Sequence, residues 1–253
     1  MFSPQHLVWL AVCIVGIVLA TKKLDATKPG LNNVLTGACV ICAFSEVVKL
    51  LTYVQMVPTA DGSTMNLFIE WRHLPLHLCS IQILFIFYVR FAEKSSRRDA
   101  VLAFMYPTCI LGAAFALLLP SIFPTTILPE QAFTSPIAYQ FFLFHSMLVT
   151  LGIYIARSGE VTIRFKHLFS TYAILAALTI LSIYANSALS YVTYRGTELL
   201  SVENTPNFFF TFRTPIGIQL TQMWHWYVYL GILLVLAIVL IAPFYLPYRK
   251  RAN

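Results

Sequence analysis

Residues 216–246 read IGIQLTQMWHWYVYLGILLVLAIVLIAPFYL, a run with no charged side chain, and Arg249, Lys250 and Arg251 follow within five residues. A bilayer core about 30 Å thick needs roughly 20 apolar residues to cross as a helix. No soluble core helix of that length avoids charge altogether. This run therefore predicts a membrane span, and the rest of the chain is read against it. Six more apolar runs precede it, at 5–21, 31–57, 74–91, 100–120, 136–156 and 168–191. Each predicts a transmembrane helix, because backbone N–H and C=O groups in lipid must be satisfied within the segment. The alternating ten-residue pattern of an outer-membrane barrel is not seen. The expected fold is all-α, a single domain over 1–253 made of a bundle of seven transmembrane helices.

Composition agrees. The 253 residues are 58% hydrophobic and only 11% charged, against about 25% charged in a soluble domain. Mean hydropathy is +0.75. A soluble enzyme, a disordered chain and a nucleic-acid-binding domain are excluded. The net charge of +7 is read as topology, since Lys and Arg collect in cytoplasmic loops. Lys22, Lys23 and Lys28 follow the first run. Arg90, Lys94, Arg97 and Arg98 follow the third, and Arg157, Arg164 and Lys166 follow the fifth. With the tail, 13 of the 17 basic residues fall on one side. The expectation is an N-terminus outside, a C-terminus in the cytoplasm and a multi-pass plasma-membrane protein. The outer loops are then 58–72, 121–135 and 192–214. Residues 5–21 are read as a first span rather than a secretory signal, because their basic residues come after the apolar stretch.

Ionisable and polar groups inside a span are costly and mark candidate sites. The second run carries Glu46 and Lys49, spaced so that they either pair with each other or serve a site. The third opens on Arg72, His73, His77 and Cys79, then Gln82. His145 lies in the fifth run, Asn186 in the sixth, and Gln219, Gln222 and His225 in the seventh. At 1.5 Å per residue these groups share the outer half of the bilayer within about 15 Å of depth. A common cavity there is expected. If residues 74–91 are helical, His77 and Cys79 face nearly opposite ways, so a nucleophilic Cys79 takes its base from another helix, His145. The five cysteines, Cys13, Cys39, Cys42, Cys79 and Cys109, all lie in apolar runs, which does not suit a disulfide framework. Cys39 and Cys42 are read as packing residues.

Three motifs carry a resemblance. Leu74-Pro75-Leu76-His77-Leu78-Cys79 opening a span, Phe144-His145-Ser146, and Asn207-Phe208-Phe209-Phe210 through Arg213-Thr214-Pro215 together resemble the YwaF-like family of multi-pass membrane proteins. That family is similar to a eukaryotic transmembrane acyltransferase of ether phospholipids with a Cys nucleophile. It is more distantly similar to membrane hydrolases of fatty-acid esters. The order here is His-Leu-Cys, where the eukaryotic proteins have Pro-Cys-His. Thr214 stands where the bacterial pattern has Lys.

The leading expectation is a lipid acyltransferase or lipid-ester hydrolase. Cys79 is its nucleophile, His145 the general base, and His77 an orienting group or alternative base. Asn186 or Gln222 donates to the oxyanion. Lys49, Glu46, His225, Asn207 and Arg213 complete the substrate site. Membrane lipids, a phospholipid or an acyl chain, are the expected partners, with no cofactor, no metal and no nucleic acid. One rival is a transporter or channel for a small polar solute using the same layer. Another is a metal held by His73, His77, His145 and His225. A retinal protein is disfavoured, because the seventh run has no Lys for a Schiff base.

Overall fold

The computed structural model describes residues 3–59, 61–120, 127–203, 206–215 and 217–251. The first part of the 121–135 connection and the first residue of the 216–246 run lie outside the described residues. Among the described residues seven α-helices follow one another: α1 (Pro4–Thr27), α2 (Leu31–Tyr53), α3 (Gln82–Phe91), α4 (Ser96–Leu118), α5 (Pro136–Arg157), α6 (His167–Ala188) and α7 (Met223–Tyr245). Six are long and apolar enough to cross a membrane. The chain is a helical, multi-pass membrane protein.

The exception is α3. Residues 74–91 were expected to form one helix, but it begins only at Gln82 and has ten residues. That is about 15 Å, half the hydrocarbon thickness. At the head of the run a residue before proline is pushed out of the α region, and Leu74 sits at φ −61°, ψ 146°. A helical path resumes slowly, through Ile81 N–H to His77 O (2.8 Å) and Ile83 N–H to Ser80 O (3.0 Å).

Two small hairpins replace the expected ends of the second and sixth runs. Strands β1 (Gln55–Pro58) and β2 (Met65–Phe68) pair antiparallel with Gln55 opposite Phe68. Strands β3 (Tyr191–Arg195) and β4 (Glu198–Glu203) pair with an irregularity between Thr193 and Tyr194. The helices stop at Tyr53 and Ala188 instead of near 57 and 191, and the apolar residues beyond them continue as strands.

The core is the α4–α5 pair, the most extensive interface in the chain. Leu102, Phe104, Met105 and Cys109 of α4 are fully buried, as is Leu148 of α5. Gly152 lets the backbones approach: a methyl group there would lie 2.7 Å from Ile110 Cγ1 and 2.9 Å from Tyr106 O. Small residues serve helix packing in this way inside membranes.

Polar bonds stitch the two ends of the bundle. At the basic end, Arg98 Nε donates to Val89 O (2.7 Å) and its Nη2 to Asn32 Oδ1 (2.8 Å). Arg157 pairs with Asp25 at 2.8 Å. The Glu160 carboxylate accepts Leu31 N–H, capping α2 where Gly30 offers no side chain. The loops expected to share one side of the membrane thus meet in space. At the opposite end, His6 Nε2 bonds Leu117 O at 2.9 Å and Trp9 Nε1 donates to Ala132 O at 2.9 Å.

Candidate functional site

The site is built on the interrupted third segment. Because residues 74–81 are not helical, the opposed faces expected for His77 and Cys79 do not apply. Cys79 instead seats against α4: a methyl group on Gly112 would lie 3.2 Å from Cys79 Sγ and 3.7 Å from Leu78 Cδ2. His77 lies edge-on to Phe208, with ring centroids 5.1 Å apart, and 6.1 Å from Phe210. His73 stacks on Tyr53 at 3.7 Å and 14°. Tyr53 is the last residue of α2.

One turn deeper on the Tyr53 face of α2 lies Lys49. Its Nζ meets Glu46 Oε1 at 3.0 Å and Oε2 at 3.2 Å, so the i,i+3 ion pair exists. The Lys49 side chain is 15% exposed and that of Glu46 35%. Lys49 is an electrostatic neighbour of His73, His77 and His145 alike. Ser45, another turn deeper, accepts from Gln140 Nε2 of α5. This α2 face is therefore turned toward α5 and the 71–77 segment.

His145 is buried in α5, with its ring centroid 4.3 Å from that of Phe141 and 5.3 Å from that of Phe144. Nδ1 lies 2.6 Å from Phe141 O. A carbonyl only accepts, so Nδ1 carries the proton, and in the neutral ring Nε2 presents its lone pair. That is the tautomer a general base needs. Among the described residues, His145 and Cys79 share no hydrogen bond.

The loop before α7 closes over the His77 side of this region. Asn186 of α6 is fully buried and clamps the loop with both ends of its amide. Nδ2 donates to Phe208 O (3.1 Å) and Thr211 Oγ1 (2.8 Å), and Oδ1 accepts Phe208 N–H (2.9 Å). Both N–H groups are committed here, so Asn186 holds the loop and has no proton to spare for an oxyanion. Asn207 wraps the same loop, accepting from Phe212 N and Arg213 N and donating to Arg213 O. Trp226 Nε1 and Tyr229 OH of α7 donate to Thr211 O (2.8 Å) and Phe210 O (2.6 Å). Within this frame Phe209 and Phe210 take φ of 56° and 55°, a left-handed conformation that costs about 1–2 kcal/mol per residue.

Two expected members stand apart. Gln222 is exposed and its Oε1 accepts from Trp224 Nε1. His225 lies against Trp224 with its Nδ1 3.4 Å from Thr221 Oγ1. Neither touches His77, Cys79 or His145 among the described residues. Among the described residues no group of three or more His, Cys, Asp or Glu lies close enough together to hold a metal ion, so His73, His77, His145 and His225 are not gathered into one set. Cys39 and Cys42 are buried packing residues.

Sequence reasoning missed three participants. Thr211 is fully buried and bonded to Asn186. Gly112 makes the notch for Cys79. Gln82 appeared among the polar residues of its span without a role, yet it is fully buried in the turn below Cys79. Only Gln82 carried a signal, a polar residue in an apolar run.

The described residues carry a thiol on irregular backbone against α4, an imidazole on α5 in a base-competent tautomer and a semi-buried cation on α2. No curated protein and no solved structure matches the chain. The profile of the TMEM164 family matches residues 1–245, all but the last few residues. The chain belongs to the TMEM164 family.

Proposed function

We propose that the chain is a membrane-embedded lipid acyltransferase or lipid-ester hydrolase in which Cys79 is the nucleophile. The observation that carries this proposal is the break in the third helix. It leaves His77 and Cys79 on non-helical backbone, and at bilayer depth such backbone is tolerated only where protein buries it or it lines a cavity. His145 Nε2 takes the thiol proton, since the thiolate is the reactive form. The sulfur adds to a lipid ester carbonyl and the alcohol leaves with the proton from His145, forming a thioester. A second lipid hydroxyl or water then releases the acyl group. His77 orients the site. The Lys49–Glu46 pair, Asn207 and Arg213 meet the polar part of a phospholipid, and Gln222 and His225 lie toward its entry along α7.

The proposal extends to topology. The short α3 and the 74–81 segment together make a seventh crossing, the basic end faces the cytoplasm, and the site opens toward the outer leaflet of the plasma membrane. The three motifs further favour kinship with the YwaF-like proteins.

The test uses purified protein in nanodiscs with a phospholipid carrying a tagged acyl chain. A hydroxylamine-labile acyl group is expected on Cys79 by mass spectrometry. Cys79→Ala should abolish it, and His145→Ala should slow its formation about a hundredfold or more. Full acyl transfer by Cys79→Ala protein would end the thiol mechanism. The broken helix and the Glu46–Lys49 pair also suit a transporter. In that case Glu46→Gln would stop solute uptake by proteoliposomes, while Cys79→Ala would not.

A further inference from the structure

Gln82 is the first residue of α3, polar, and 0% exposed. Its amide is used at both ends. Nε2 donates to Thr108 Oγ1 of α4 (3.0 Å) and, at 3.4 Å, to Leu78 O in the turn that carries Cys79. Oε1 accepts from Cys109 Sγ at 3.4 Å. Thr108 in turn donates to Phe104 O at 2.7 Å. A buried amide left unsatisfied is costly, and here the cost is avoided only if the 78–82 turn stays at this place on α4. On the other side of that turn, Gly112 is one helical turn beyond Thr108 and Cys109. The absence of a side chain there opens the notch that takes Cys79 Sγ. A methyl group at 3.2 Å would be tighter than ordinary van der Waals contact, and the sulfur would have to move.

We infer that Gln82 and Gly112 are the positioning residues that seat the Cys79 thiol on α4. Gln82 ties the turn's carbonyl to the helix, and Gly112 supplies the space the sulfur occupies. This deepens the acyl-transfer proposal by naming what holds its nucleophile, and it is tested independently of catalysis.

Two measurements test it. The first is the rate at which a small maleimide alkylates Cys79 in the full-length protein in detergent, read by peptide mass spectrometry. Gln82→Leu frees the turn, so alkylation of Cys79 should rise about tenfold while acyl transfer falls. Cys109→Ser keeps a donor to Gln82 and should behave as the unmodified protein. The second is a thermal double-mutant cycle. Gly112→Ala should lower the melting temperature when Cys79 is present and regain most of the loss in a Cys79→Ala background. The seat is overturned if alkylation in Gln82→Leu stays within twofold of the unmodified rate. It is equally overturned if Gly112→Ala costs the same with and without the Cys79 thiol. A cycle that couples in a protein that transfers no acyl group keeps the seat and retires the acyl-transfer proposal.

Discussion

Helices α5 and α7 are both membrane spans, and they treat their apolar residues in opposite ways. The most apolar window of α7 has a mean hydropathy of 2.6 with 11% of it buried, while that of α5 has 1.4 with 61% buried. In water the more hydrophobic helix would be the inner one. In a bilayer, lipid tails are as apolar as leucine, so no hydrophobic force drives α7 inward. Position is decided by packing and by polar groups that need partners. Helix α5 carries Gln140 and His145 and sits at the centre. Helix α7 carries almost nothing polar past its first turns and stays at the rim. It is held by bolts rather than by a packed face: Trp226 and Tyr229 to the 207–211 loop, Ile238 O to Tyr172, and Tyr245 to Ala103 O.

Truncation should break this comparison most sharply if it is wrong. Leu148→Ala in α5, where the side chain is fully buried, is expected to cost about 2–5 kcal/mol in reversible unfolding from mixed micelles. Val235→Ala in α7, at 60% exposure, should stay within about 0.5 kcal/mol, since lipid fills the space. Similar costs would mean that α7 is packed against something in the membrane.

Adding a methyl group gives the complementary pair. Gly152→Ala forces contacts of 2.7 and 2.9 Å on Ile110 and on the Tyr106 carbonyl, and about 1–3 kcal/mol should be lost. Gly231→Ala meets nothing within 4 Å and should gain up to about 1 kcal/mol through helix propensity. The same unfolding assay decides, and a loss at Gly231 would contradict an open face.

The bolts themselves can be drawn. The Tyr245 hydroxyl donates to Ala103 O at 2.6 Å and lies 2.7 Å from Thr171 Oγ1. Tyr245→Phe keeps the ring and should cost about 1–2 kcal/mol, with faster proteolysis of α7 as the local readout.

The smallest effect lies outside the membrane, at the tip of the β1–β2 hairpin. Bonds from the Thr59 and Ser63 hydroxyls and Ser63 N–H to Asp61 pull its carboxyl down to about 2. An unfolded aspartate titrates near pH 4. The tip's ordering is therefore complete above about pH 4 and is lost as pH falls through about 2. NMR titration should follow Asp61 to that low midpoint, and an ordinary midpoint near 4 would mean that the tip is not held.

Much of the scaffold was legible residue by residue. The charge-free 216–246 run, the basic clusters and the Glu46–Lys49 spacing all act locally. Transfer of a side chain to lipid is nearly additive along the chain, and a pair three residues apart on a helix meets regardless of what surrounds it. The polar layer was legible as a list of residues but not as a set of contacts. Asn186 looked available to a substrate, yet its amide is spent on a loop some 20 residues later in the chain. Gln222 and His225 were expected at the layer's depth but lie against Trp224 and Thr221.

By itself, then, the sequence determined a bundle of apolar helices with one basic end and named His77, Cys79 and His145 as residues that need a reason to be there. Tertiary structure alone decided that the helix of the third run begins only at Gln82, that Cys79 rests on Gly112, and that Gln82 holds the turn that carries Cys79. Hydropathy measures each residue against lipid and is blind to which neighbour satisfies it. A hydrogen bond from Gln82 to Thr108, 26 residues away, or a notch left by a missing side chain exists only once two distant segments have been packed together.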